Sequence, residues 1–203
     1  SVLNQTFRNY ELIIVNDGST DDSLTYIRSF SDSRIKLINL TENFGQSYCT
    51  NLAADLSSSE YIALTDADDI IDNERLEKQR DFLSKNPKFI AVSGYLKIID
   101  EFNIFSNEQI TEIEDWFNFK NTNSEDMRKN MFVRSTVVGA SLFFKRRTFY
   151  DLGKYNADYE VSGDSNFKFK LLENGEIYKI PEILYYYRIH SNQISISKKN
   201  RQS

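Results

Sequence analysis

The chain has 203 residues, a formal net charge of −5 and 40% apolar residues, with two prolines and seven glycines. That composition fits one packed globular unit, not a disordered or fibrous chain. The acidic balance argues against a general nucleic-acid binder, which needs a basic footprint, but not against a small anionic ligand held beside a metal ion. Cys49 is the only cysteine, so no intrachain disulfide forms and a reducing compartment is expected. No apolar run approaches the ~18 residues of a membrane span. The opening residues carry no signal peptide and read as the end of a helix, so further sequence is expected upstream.

Residues 10–15 form a short apolar run that stops at Asn16-Asp17-Gly18-Ser19, the pattern of a buried strand and a turn. Leu24, Ile27 and Phe30 recur at helical spacing over 20–30, behind Asp21 and Asp22. The pattern then predicts a strand at 35–40, a helix at 46–56 and a strand at 61–64. A charged helix is predicted at 74–85, closed by Pro87. Three alternations of strand and helix with short connections point to a parallel sheet covered by helices. Ligands bind such sheets beyond the carboxyl ends of the strands. Asp17 and the acidic cluster at 66–69 stand at two such ends.

The second half is less regular. Strands are expected at 90–99, 137–144, 177–180 and 184–189, and a helix at 165–172. Residues 102–131 are polar, acidic and aromatic and read as an excursion with short helices, with Trp116, Phe117 and Phe119 forming either an acceptor platform or, the reading preferred, a small satellite core. Residues 198–203 read as a frayed tail.

Several constellations carry chemistry. Asp66, Asp68 and Asp69 repel one another unless a cation or hydrogen-bond donors offset them, and an Asp-x-Asp pair suits a hard divalent ion. The same residues can cap the next helix, and spacing alone does not choose. Asp17 can accept from a base N–H or a ribose hydroxyl, while Ser19 and Thr20 can simply cap a helix. Asn43-Phe44-Gly45 is a close-approach loop or a plain turn. His190 is the sole histidine, either a metal ligand or a strand-end residue, and Arg188 can pair with phosphate. Asp164 is either the cap of the helix it precedes or a general base. Cys49 reads as an inert buried thiol.

Taken in order, these motifs resemble the inverting family 2 glycosyltransferases. The resemblance runs from Ser1 to about Ser195, through Val15-Asn16-Asp17-Gly18-Ser19-Thr20-Asp21, Asn43-Phe44-Gly45, Asp66-Ala67-Asp68-Asp69, Gly139-Ala140-Ser141 and Tyr187-Arg188-Ile189-His190. It implies an α/β chain of GT-A fold, a mixed and mostly parallel sheet with helices on both faces. It further implies one domain over 1–203, in which 1–100 bind the nucleotide-sugar and 101–203 the acceptor.

By the same resemblance, Asp17, Asn43, Gly45, Asp66 and Arg188 would bind a nucleotide-diphospho-sugar, expected to be a UDP-sugar. Asp68 and His190 would hold Mn²⁺ or Mg²⁺. Asp164 would be the base that activates a hydroxyl of a glycan or lipid-linked acceptor. Surface polysaccharide synthesis is the implied setting, in the cytoplasm or peripherally at the inner face of the membrane. No nucleic-acid partner is implied.

Three departures from the family pattern stand out. Gly163 precedes Asp164 where the family has Glu, and Cys49-Thr50-Asn51 stands where Ala-Arg-Asn is common. The family's opening strand, which lies between the strands placed here at 12–15 and 62–64, is absent. Those two strands must then pair directly, leave a gap or borrow a strand, and weak donor binding is expected. Two rival readings stay open: a sugar nucleotidyltransferase, and a catalytically silent member that binds glycan or protein partners.

Overall fold

The computed structural model describes residues 1–119, 124–131, 133, 136–156 and 163–190. The tail expected at 198–203 lies outside the described residues. After a 3-10 turn at Val2–Asn4, the chain runs through β1 (Leu12–Asp17), α1 (Ser23–Arg28), β2 (Ile35–Leu40), α2 (Gln46–Leu56), β3 (Tyr61–Ala63), β4 (Ile70–Ile71) and α3 (Arg75–Lys85). β5 (Phe89–Ile99), α4 (Asn107–Phe117) and α5 (Ser124–Asn130) follow. Next come β6 (Phe143–Lys145), α6 (Arg146–Asp151), α7 (Gly163–Asn174) and β7 (Glu176–Arg188).

Two sheets form. β1 and β2 pair in parallel, with Ile14 opposite Leu37 and Asp17 opposite Leu40. The larger sheet has the order β3-β6-β5-β7-β4. Its β5–β7 ladder is parallel, while β3–β6, β5–β6 and β4–β7 are antiparallel. Among the described residues no ladder joins β1 to β3. The described residues leave a gap between these two strands. A cavity of about 330 Å³ lies there, lined by Leu12, Ile13 and Val15 of β1, Ile62 and Ala63 of β3, and Arg75.

The larger sheet is covered on both faces because its strands alternate. Ala91 and Phe144 turn into a cluster with Phe149 of α6 and Phe167 and Leu171 of α7. Their chain neighbours Val92 and Phe143 turn the other way, against Leu76 and Leu83 of α3. A third cluster packs Leu96, Ile98 and Tyr185 against Ile110, Ile113 and Phe117 of α4. α4 starts in a capping box, Ser106 with Gln109, and its Asn118 and Glu114 side chains bond the Leu96 and Ile98 backbone. Among its described residues the 102–131 excursion carries two helices, α4 and α5. Phe117 belongs to the third cluster, and Trp116 is about half exposed.

Two expectations are corrected. Residues 137–144 do not form one strand. Gly139–Ser141 is a 3-10 turn, pinned by the buried Ser141 hydroxyl, which bonds Ser93 and the Gly94 amide, and only Phe143–Lys145 is extended. The strands expected at 177–180 and 184–189 are one strand, β7. Pro181 donates no ladder hydrogen bond, and the register with β5 jumps at this point, from Gly94 opposite Ile180 to Tyr95 opposite Ile183.

Candidate active site

Asp17, Asn43 and Gly45 meet at the carboxyl end of β1. The Asp17 carboxylate accepts the amides of Phe44 at 2.7 Å and Gly45 at 2.9 Å, and the Asn43 side-chain amide donates to the Asp17 carbonyl at 3.3 Å. Gly45 is the N-cap of α2 at φ +88°, so Asp17 sits against the first turn of that helix. Gly18 is required next to it. Its φ is +66°, and a Cβ there would lie 2.6 Å from the Glu42 carbonyl carbon. Burial, with the neighbouring Asp17 carboxylate adding, pushes the Cys49 thiol up to about 12, which suits an inert thiol.

The acidic cluster occupies the link from β3 to β4 and is gripped by β7. The Tyr185 hydroxyl donates to Asp69 Oδ2 at 2.6 Å and accepts the Asp66 amide at 3.1 Å. The Arg188 amide donates to Asp69 Oδ1 at 2.7 Å, and Arg188 Nε to the Asp68 carbonyl at 2.9 Å. Asp68 Oδ2 and His190 Nε2 are 2.9 Å apart. The Arg188 guanidinium also pairs with Glu101. It therefore ties the acidic link to the end of β5 as well as standing beside the site.

Burial pushes the Asp66 carboxyl up to about 6, and the negative charges of Asp69, Asp68 and Asp164 add to this while Arg75 opposes it. Burial likewise takes Asp69 to about 6, against the pull of its bonds from Tyr185 and Arg188. Asp164 reaches the same place from the first turn of α7. Its Oδ2 pairs with Lys168 Nζ at 3.0 Å, and a Cβ on Gly139 would stand 3.1 Å from that oxygen.

Among the described residues no three His, Cys, Asp or Glu side chains form a metal cage. Asp68 and His190 bring one carboxylate oxygen and one imidazole nitrogen into direct contact. That donor pair suits Mn²⁺ or Mg²⁺ completed by phosphate oxygens and water, so the residues present fit the ion.

Four participants escape the sequence. Arg75 is fully buried below the site. Its guanidinium donates to the carbonyls of Leu64, Ala140 and Leu142 and to Gln79, and lies 5.4 Å from the Tyr185 ring. Tyr185 is one tyrosine in a run of three, and Lys168 reads as a surface lysine. Asn51 brackets the Tyr155 backbone with two hydrogen bonds, at 2.9 and 3.1 Å, 104 residues away. The glycine departure also has a cause. A Cβ on Gly163 would lie 2.2 Å from Ser47 Oγ of α2 and 3.3 Å from the Tyr155 ring, so a side chain here requires the Ser47 hydroxyl to turn away.

The family model described as Glycosyl transferase family 2 matches residues 1–153. The chain belongs to glycosyl transferase family 2. A glycosyltransferase of Haemophilus influenzae is 32% identical over the whole chain, which spans 64% of that protein. The poly-beta-1,6-N-acetyl-D-glucosamine synthase of Staphylococcus epidermidis is 29% identical over 78% of the chain, and the matched part is 38% of the synthase. The family 2 chain thus spans under two thirds of these relatives. In structure it resembles S. aureus TarS in complex with UDP-GlcNAc, at TM-score 0.75 and 18% identity, over 95% of this chain and 54% of that one. The likeness shows the GT-A fold.

Proposed function

We propose that this family 2 chain is the nucleotide-sugar-binding and catalytic part of an inverting glycosyltransferase. The donor is a nucleotide-diphospho-sugar, with UDP as the nucleotide, and the acceptor is a hydroxyl of a glycan or lipid-linked glycan. The observation that carries the reading is the convergence of three distant segments. Asp164 of α7 and Asp68 both act on the buried Asp66 carboxyl, and His190 after β7 meets Asp68. UDP and UDP-GlcNAc are bound in the TarS structures, and GDP-Man and Mn²⁺ in a Pyrobaculum calidifontis mannosyltransferase of TM-score 0.65 and 16% identity.

In this reading residues 1–203 act as one domain, with the base and sugar held by 1–100 and the acceptor by 101–203. The Asp17 carboxylate, fixed by two amides, keeps lone pairs for a base N–H or ribose hydroxyl. Asn43 and Gly45 shape the turn around it, and Asp66 accepts a hydroxyl of the donor. Asp68 and His190 would hold the divalent cation, which when bound stabilises charge on the departing diphosphate. Asp164 takes the proton of the acceptor hydroxyl, whose oxygen attacks the anomeric carbon as the bond to the diphosphate oxygen breaks on the opposite side. Configuration inverts in this single displacement, and no covalent enzyme intermediate forms. Lys168 holds the base in place, and Arg188 braces the phosphate side. No helix among the described residues is long and apolar enough to cross a membrane. The setting we propose is polysaccharide synthesis in the cytoplasm, at the inner membrane face.

A second reading, a member that binds glycan without transferring sugar, is favoured by Gly163, which leaves Asp164 without the family's adjacent Glu. One experiment separates the two. Asp164→Asn should keep UDP binding and lower UDP-GlcNAc turnover by about 10²–10⁴-fold. Turnover unchanged by that substitution removes Asp164 from its role. Binding of donor by the unsubstituted chain with no turnover supports the second reading.

A further inference from the structure

The acidic link contains three carboxylates, and the hydrogen bonds sort them into two kinds. Asp69 has both oxygens engaged from β7, Oδ2 by the Tyr185 hydroxyl and Oδ1 by the Arg188 amide. Asp66 and Asp68 are held differently. β7 takes their backbone, through the Asp66 amide and the Asp68 carbonyl. We infer that Tyr185 is a positioning residue for the donor site, a latch that makes Asp69 a strut instead of a ligand and aims Asp66 and Asp68 at the donor. The inference rests on the donor-site reading above.

The latch has a physical basis on each side. Tyr185 is fully buried, and its hydroxyl uses its proton on Asp69 and a lone pair on the Asp66 amide. Breaking either bond leaves a buried group unsatisfied, so the arrangement resists rotation. The ring is fixed from below by the Arg75 guanidinium, which also holds the Leu64 carbonyl two residues before Asp66. The backbone is fixed by pairing, since Ile70 and Ile71 lie opposite Tyr186 and Tyr185 directly after the acidic residues. The link between β3 and β4 is therefore clamped at its start by Arg75, in the middle by Tyr185 and at its end by the β4–β7 ladder.

Tyr185→Phe removes only the hydroxyl and keeps the packed ring. Two measurements are made on the 203-residue chain. The first is amide hydrogen exchange over 65–69 without ligand, which reads the latch whatever the site binds. It should speed up at Asp66 and Asp69 while β5 exchange stays as before, and unchanged exchange at both overturns the latch. The second is titration with UDP in the presence of Mn²⁺, beside uridine alone. The variant should bind Mn²⁺-supported UDP about 10- to 100-fold more weakly, the usual effect of removing a partner that orients a metal ligand. Uridine binding should not change, whereas a merely structural loss would lower both.

Asp69→Asn completes a double-mutant cycle. If Asp69 is a strut, the double variant binds no more weakly than either single one. Additive losses would make Asp69 a ligand in its own right and overturn the proposal. Failure of the unsubstituted chain to bind UDP with Mn²⁺ would overturn the donor-site reading, with the exchange result still deciding whether the latch exists.

Discussion

Arg75→Met tests whether a buried cation organises the site from below. The guanidinium supplies donors to the Leu64 carbonyl at 2.7 Å, the Ala140 carbonyl at 3.3 Å and Gln79 Oε1 at 3.0 Å. The Leu142 carbonyl also accepts the Leu64 amide, so it keeps a partner in the variant. Three acceptors lose their donor at about 1–3 kcal/mol each. Against this, Met removes a buried charge that is costly to hold, one whose Nη1 has no partner and whose pKa burial lowers to about 10. We take the net loss as about 2–4 kcal/mol, in the lower range for breaking a buried charged network. At ~2–4 °C per kcal/mol for a chain of this size, Tm should fall by roughly 4–16 °C. The assay is thermal unfolding followed by circular dichroism, with Arg75→Lys alongside. Lysine cannot reproduce the planar fork that reaches Gln79 and the strand-end carbonyls at once, so it should recover only part of the loss. A Tm that is unchanged or raised in Arg75→Met would refute the reasoning, because the guanidinium would then be a net burden.

Two further predictions concern the β1 side. Glu11 accepts from Lys36, from the Ser58 and Ser59 amides and from both serine hydroxyls. Burial alone would raise its carboxyl, but these bonds outweigh it and hold the group at about 2 against an ordinary 4.5. A folded-state pKa below the unfolded one means stability that is complete above about pH 4.5 and lost as pH falls toward 2. The full shift corresponds to roughly 3 kcal/mol, which solvent screening reduces to about 1–2. Urea unfolding should show Glu11→Gln less stable than the unsubstituted chain at pH 7 and nearly equal to it at pH 2.5; an equal gap at both pH values refutes the assignment. A six-residue Val/Ile/Thr strand, appended to Ser1 through a Gly/Ser linker to fill the cavity between β1 and β3, should tighten UDP binding, since Asp17 and Asp66 stand beyond the ends of the strands it would join. Unchanged affinity by calorimetry would show that the gap does not limit the site.

The first hundred residues were legible because β1, β2 and β5 are apolar runs and α2 and α3 carry helical spacing between clear stops. The gap was one of three readable outcomes: β3 pairs with β6 on its other edge, and apolar side chains line the space between β1 and β3. Asp17, Asn43 and Gly45 were each singled out at the ends of apolar strands, and their direct hydrogen bonding follows from the parallel pairing of β1 with β2, which brings those two ends together. It could not find Arg75 or Tyr185, whose roles depend on what packs above them. In an isolated charged helix Arg75 belongs on the solvated face; here α3 turns it inward, where strand-end carbonyls need donors. Gly163 looked like a lost carboxylate, and only the structure shows that it faces Ser47 of α2, whose hydroxyl stands where a Cβ would go. The 137–144 misreading has a similar origin. β-branched and apolar residues suggested extension, but the buried Ser141 hydroxyl bonds to β5 and bends the backbone beside Asp164.

The same β5–β7 contact that hid one strand as two also aims the site. Val92 faces α3, yet Leu96, of the same parity, faces α4, because the register shifts between Gly94 and Leu96 turn the strand over. Gly94 permits this: a Cβ there would lie 2.8 Å from Leu184, the residue before Tyr185. On β7, Leu184 packs against α3 while Tyr185 points the other way, under the acidic link. A one-residue slip in this ladder would exchange the two. Tyr185 would then face α3, and Asp69 would lose the donor to Oδ2. The geometry of the acidic link is thus set some distance away, by a bulge where Gly94 leaves room for Leu184 and Pro181 offers no ladder donor.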